Sequence, residues 1–197
     1  MILDETKIEE IKIKARQNHV PILQDDSLKL IETILEIKKP ESILEVGTAV
    51  GYSALNFAKH LSDGGKIITM ELNEATANEA RENLKELGVS HIIDVITGDA
   101  YEYMRTLTGT FDVIFIDAAK GQYVKYLNEA IRLSKSGTII IADNVLLRGM
   151  VLSDYNEHKH RTAVTRLREY INIVTTDERL LSTVLDVGDG VAISVVK

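Results

Sequence analysis

Over the first forty residues apolar positions recur every three or four places. Ile8, Ile11 and Ala15 share one helical face, and Leu28, Ile31, Ile34 and Leu35 share another. Pro21 and the stretch Asp25, Asp26, Ser27 separate and cap these two predicted helices. From Pro40 the rhythm changes to short apolar runs alternating with amphipathic segments. Residues 42–46, 66–70, 92–96, 111–116 and 137–142 read as strands, with helices over 53–60, 74–87, 101–107 and 123–134. This βαβ succession predicts an α/β fold, a parallel sheet covered by helices on both faces. After a helix over 161–171, two apolar stretches, 180–187 and 190–197, flank Gly188, Asp189 and Gly190. They predict a terminal hairpin that gives the sheet an antiparallel edge.

A chain of 197 residues suits one domain, here residues 1–197, with a helical segment over 1–40 and the α/β core with its hairpin over 41–197. The share of apolar residues, 45%, and of charged residues, 27%, is that of a soluble globular protein. No apolar run reaches the roughly 20 residues of a membrane span, and the N-terminus interleaves acids and bases instead of forming a leader, so a cytoplasmic protein is expected. The absence of cysteine removes disulfides, thiolate metal sites and thiol nucleophiles, leaving oxygen and imidazole as metal ligands. A net charge of −7 argues against a surface that coats nucleic acid, while permitting a local basic patch.

The segment ILEVGTAVGYSAL, residues 43–55, passes from strand through a glycine loop into a helix, where open α/β sheets bind nucleotide-like ligands. A nicotinamide fold would show G-x-G-x-x-G to bring backbone against a pyrophosphate. Here Gly47 and Gly51 are separated by Thr48, Ala49 and Val50, and Glu45 precedes the first glycine. A carboxylate there suits S-adenosylmethionine, which carries a sulfonium and an ammonium and no phosphate. Glu71, ending the second strand, can accept from ribose hydroxyls, and Asp99, between Gly98 and Ala100 after the third, can take the adenine amino group.

The fourth strand ends at Asp117 and the fifth at Asp143 and Asn144. On parallel neighbours these converge as hard oxygen donors for magnesium, manganese or calcium. The alternative use of Asp143 and Asn144 is to cap the following turn. A divalent cation, expected to be Mg²⁺, would lower the pKa of a bound hydroxyl and aim it. Lys120, three residues past Asp117, would then take the proton, making Lys120 and Asp117 the catalytic pair.

The segments ILEVGTAVGYSAL, IFIDAAKGQY, ADNVLLRGM and VGDGVAIS together resemble the metal-dependent class I S-adenosylmethionine O-methyltransferases related to catechol and caffeoyl-CoA O-methyltransferases. The likeness is strongest to the branch acting on tRNA 5-hydroxyuridine, through HVPI at residues 19–22, DAAKGQY and DNVL-x-G. The resemblance implies a Rossmann-like, seven-stranded sheet with the last strand antiparallel, and a homodimer. It matches Asp117, Asp143 and Asn144 to metal ligands, Lys120 to the base, and Glu45, Gly47, Ser53, Glu71 and Ala100 to cofactor contacts; Thr48 in the glycine loop and Asp117 are expected to touch the cofactor as well. It also implies the tRNA anticodon loop as partner, with 5-methoxyuridine at the wobble position as product. Arg148, His158, Lys159, His160, Arg161, Arg166 and Arg168 follow the metal segment and suit phosphate contacts; interleaved with Glu157 and Glu169, they equally suit a solvated helix face. The rival substrate is a small catechol-like phenol, for which Tyr52, Tyr123 and Tyr155 would supply an aromatic wall. A rival of another class is a noncatalytic nucleotide- or RNA-binding module, against which the intact Asp117, Lys120, Asp143 and Asn144 argue.

Overall fold

A computed structural model describes residues 3–154 and 158–197. Two helices, α1 (Glu5–Gln17) and α2 (Asp25–Lys38), precede five βα units and the terminal hairpin. The strands are β1 (Ser42–Val46), β2 (Lys66–Glu71), β3 (Ile93–Thr97), β4 (Phe111–Ile116), β5 (Ser134–Ala142), β6 (Leu180–Leu185) and β7 (Val191–Val196). Between them run α3 (Tyr52–Ala58), α4 (Glu74–Glu86), α5 (Ala100–Thr106), α6 (Tyr123–Arg132) and α7 (Arg161–Thr176).

The seven strands are ordered β3-β2-β1-β4-β5-β7-β6 in one sheet. Strands β1 to β5 pair in parallel, and β7 pairs antiparallel with both β5 and β6. The antiparallel strand therefore lies one place in from the edge, and the edge itself is β6, which runs with the parallel set. Burial decides this: Val191, Ala192 and Ser194 of β7 are buried, whereas β6 alternates with exposed positions such as Leu181.

Alternation along β1 divides the core. Ile43 joins Val113 and Phe115 of β4 against α1, α2 and α3, while Leu44 and Val46 join Ile114 and Ile116 against α6 and α7. Phe57 of α3 meets Phe115 edge-on, with ring centroids 5.1 Å apart. Among the described residues no helix is long and apolar enough to cross a membrane.

Two boundaries differ from expectation. Asp25 does not cap α2: the cap position is Gln24, without a side-chain bond, and the Asp25 carboxylate instead holds Lys12 at 3.0 Å and Arg16 at 3.1 Å. Two cations on α1 outcompete the backbone for that carboxylate, and the helix pair is clamped as a result. Helix α6 stops at Arg132 because Leu133 turns to accept from Phe111 N, which starts the β4–β5 pairing.

Candidate active site at the carboxyl rim of the sheet

The strand order reverses between β1 and β4, and there the carboxyl ends splay apart to leave a crevice. A cavity of about 1070 Å³ opens at this point. It is lined by the α1–α2 connection, Pro21 to Gln24, and also by Leu147, Arg148, Met150, Lys159 and His160.

Gly47 closes the floor. Its φ is +104°, and a Cβ there would fall 2.1 Å from the Asp117 carbonyl oxygen, so only glycine lets the loop after β1 lie against the end of β4. The loop is then pinned to β2: Gly47 N and Thr48 N donate to Met70 O, and Ala49 N donates to Glu71 Oε2 at 3.0 Å. Ala49 is left-handed at φ +45°, as are Asn144, Leu147 and Arg148, all four lining the cavity. Backbone held in that region by non-glycine residues gathers at functional sites.

Of the predicted cofactor residues, Gly47, Thr48, Ser53, Glu71, Asp99, Ala100 and Asp117 line the cavity. Asp99 also caps α5, its Oδ1 accepting from Glu102 N at 3.1 Å. Glu45 is placed elsewhere. It is fully buried behind the cavity wall, accepting from Ser53 Oγ and Thr69 Oγ1 at 2.5 Å each. Burial, with the nearby charges of Asp117 and Glu71, pushes its pKa up to about 7 against the two hydroxyl bonds. It reaches the cavity through Ser53, not directly.

The predicted chemistry converges on one ammonium. Lys120 Nζ donates to Asp117 Oδ1 at 2.7 Å, to Asn144 Oδ1 at 2.8 Å and to Tyr123 OH at 3.0 Å. The Tyr123 hydroxyl in turn donates to the Asp143 carbonyl at 2.8 Å. Asp143 is buried behind Asn144, whose Nδ2 donates to its Oδ2 at 3.0 Å, and it does not line the cavity. Burial raises its pKa to about 6, and the charge of Asp117 adds to the rise. The Lys120 ammonium thus lies between the Asp117 carboxylate and the Asn144 amide oxygen, with the Asp143 carboxylate behind Asn144. Such hard donors fit a divalent metal. Among the described residues no cluster of three His, Cys, Asp or Glu is placed to hold a metal ion, so the third donor here is the Asn144 amide.

The basic residues divide. Arg148, Lys159 and His160 line the cavity, while Arg166 pairs with Glu169 at 2.6 Å on the face of α7. Arg168 is structural: its guanidinium donates to Val151 O at 3.0 Å, to Met150 O at 3.4 Å and to Ser153 O. Of the expected aromatic wall, Tyr52 lines the cavity, Tyr123 lies buried beneath it, and Tyr155 falls outside the described residues, as does Glu157.

This geometry agrees with the kinship of the chain. The O-methyltransferase family matches residues 2–197. The chain belongs to that family. A catechol O-methyltransferase of Niastella koreensis is 34% identical over 178 residues, covering 86% of this chain and 79% of the relative. A caffeoyl-CoA O-methyltransferase of Stellaria longipes is 33% identical, covering 83% and 71%. The solved O-methyltransferase of Bacillus cereus, in complex with SAH, superposes with a TM-score of 0.88 at 31% identity, covering 100% of this chain and 93% of that one. TomG of Streptomyces achromogenes, in complex with SAM, gives 0.86 at 27% identity, covering 97% and 89%.

In this O-methyltransferase fold the sequence reading missed the wall made by Pro21 to Gln24, together with Gln122, Tyr126, Met150 and Asp189. Pro21 and Ile22 stand in the HVPI segment, and Gln122, Met150 and Asp189 in the IFIDAAKGQY, ADNVLLRGM and VGDGVAIS segments, so the motifs marked their neighbourhood without giving them a role. Tyr126, one turn into α6, carried no signal.

Proposed function

We propose that this chain transfers the methyl group of S-adenosylmethionine, with help from a divalent metal, to the C5 hydroxyl of 5-hydroxyuridine at the wobble position of tRNA. The observation that carries the reading is the Asp117, Lys120 and Asn144 cluster at the floor of a cavity bounded by Gly47, Glu71 and Asp99. The cavity lies just above the range of roughly 300–1,000 Å³ for one drug-sized ligand, which suits a cofactor and a substrate side by side. The HVPI, DAAKGQY and DNVL-x-G segments support the tRNA branch, and Pro21 and Ile22 of the first line the cavity. Arg148 and Lys159 at the rim offer charge to phosphates.

Asp117, Asp143 and Asn144 would hold the metal, whose chemistry is to acidify and orient a hydroxyl. Glu71 would accept from the ribose hydroxyls of the cofactor, and the Gly47 to Ala49 loop, pinned to Glu71, would provide backbone for it to lie against. Lys120 accepts the hydroxyl proton at Nζ, a role it fills only as a neutral amine, and Tyr123 OH keeps that nitrogen at the floor. The substrate oxygen then attacks the methyl carbon in line; the O–C bond forms, the C–S bond breaks, and its electron pair leaves on sulfur. Most of the rate arises from positioning.

A second reading, methylation of small catechols, is favoured by the catechol O-methyltransferase relatives and by Tyr52 and Tyr126 on the cavity wall. The deciding experiment is nucleoside mass spectrometry of a tRNA pool carrying 5-hydroxyuridine, incubated with the protein, S-adenosylmethionine and Mg²⁺, with an EDTA arm. EDTA-sensitive 5-methoxyuridine is expected. Methylated catechols without any tRNA product would overturn the tRNA assignment and leave the family chemistry standing.

A further inference from the structure

Ser27 is a fully buried hydroxyl with no part in the chemistry above. It sits in the first turn of α2, where a serine ordinarily turns back to its own backbone. Instead Ser27 Oγ donates to Asp143 Oδ1 at 3.1 Å, across 116 positions of sequence. The other oxygen of that carboxylate accepts from Asn144, so the two bonds fix its rotation from both sides.

The β6–β7 turn closes behind the serine. At Gly188, with φ +59°, a Cβ would fall 2.4 Å from Ser27 Oγ, so a side chain there would push the hydroxyl off its acceptor or deform the turn. The same turn holds the chain just past the carboxylate, through Val145 N to Gly190 O at 2.9 Å and Leu146 N to Asp189 O at 3.1 Å. Three segments far apart in sequence thus fix one carboxylate.

We propose that Ser27 is a positioning residue for Asp143 in metal binding, so that the N-terminal helical segment completes the metal site as well as walling the cavity. This rests on the metal-dependent reading above. Outer groups that orient a metal-ligating carboxylate contribute about 10–100-fold to metal affinity. Ser27 is not among the residues expected to touch the cofactor and does not line the cavity, which separates the two readouts.

The test is calorimetric titration of the full chain with Mn²⁺ and, separately, with S-adenosylhomocysteine, for wild type, Ser27→Ala, Ser27→Thr and Gly188→Ala, with melting temperatures of each without ligand. Ser27→Ala is expected to weaken Mn²⁺ roughly 10-fold or more, leaving S-adenosylhomocysteine affinity within about twofold. Gly188→Ala should act in the same direction, and Ser27→Thr, which keeps the hydroxyl, should retain more Mn²⁺ affinity than Ser27→Ala. Wild-type Mn²⁺ affinity in Ser27→Ala overturns the proposal and spares the metal reading. Parallel loss of both ligands in Ser27→Ala marks a merely structural role and also overturns it. Failure of the wild type to bind Mn²⁺ overturns the proposal and the metal-dependent reading together.

Discussion

At the scale of single residues, Glu45 shows how a carboxylate beside the site acts through protonation. Its folded pKa of about 7 stands above the ordinary 4.5, so the folded state holds the proton more tightly. The associated stability is fully present below about pH 4.5 and falls as the pH rises through 7. Glu45→Gln, neutral at every pH, should therefore be more stable than wild type at pH 8, by on the order of 1–3 kcal/mol, and alike at pH 4. Calorimetric melts at both pH values check this, and an equal difference at the two would refute it. Lys120→Met removes the base and the ammonium that joins Asp117 to Asn144. Single-turnover rates should fall about 10²–10⁴-fold, with S-adenosylhomocysteine affinity retained. Asp143→Ala should likewise stop turnover while leaving cofactor binding largely intact; loss of cofactor affinity would contradict separate metal and cofactor sites. Gly47, Glu71, Asp117, Lys120 and Asn144 were all readable in the sequence, because strand ends and a glycine loop mark the rim of an α/β sheet. The indirect placement of Glu45 was not readable. Strand period alone does not say whether a side chain near the strand end faces the cavity or Ser53 on the covering helix.

At the scale of elements, the loop leaving β5 is held at two places. Its start is bonded to the β6–β7 turn, and its middle carbonyls, from Met150 to Ser153, are gathered by Arg168 from α7. A solvated basic face explains Arg166 with Glu169, but Arg168 spends its donors on the backbone. Arg168→Ala should raise amide hydrogen exchange in residues 146–153 by about tenfold or more, leaving β1 and β4 amides protected. Unchanged exchange in that loop would show that it is held by packing alone. The hairpin illustrates what pattern leaves open: both stretches are apolar, yet β7 takes the inner place and β6 the edge. Which of two apolar strands is inserted depends on pairing with β5, which ends at Ala142 and is separated from both stretches by α7.

At the scale of the whole molecule, the cavity is lined by both the sheet rim and the α1–α2 connection, so a ligand there bridges the two. S-adenosylhomocysteine at about 100 times its Kd should stabilise the fold by about 2.7 kcal/mol, raising Tm by roughly 5–10 °C for a chain of this size. A thermal melt with and without the ligand tests this, and no shift at saturation would place binding outside the folded state or abolish it. The order of strands and helices, the glycine loop and the acids at successive strand ends were determined by the sequence alone, because local periodicity and turn chemistry act within a few residues. The wall from Pro21 to Gln24, the bond from Ser27 to Asp143, the burial of Glu45 and the place of β7 were decided only by the tertiary structure. Each depends on segments distant in the chain being packed together, and on burial that turns a polar side chain toward the partner left within its reach.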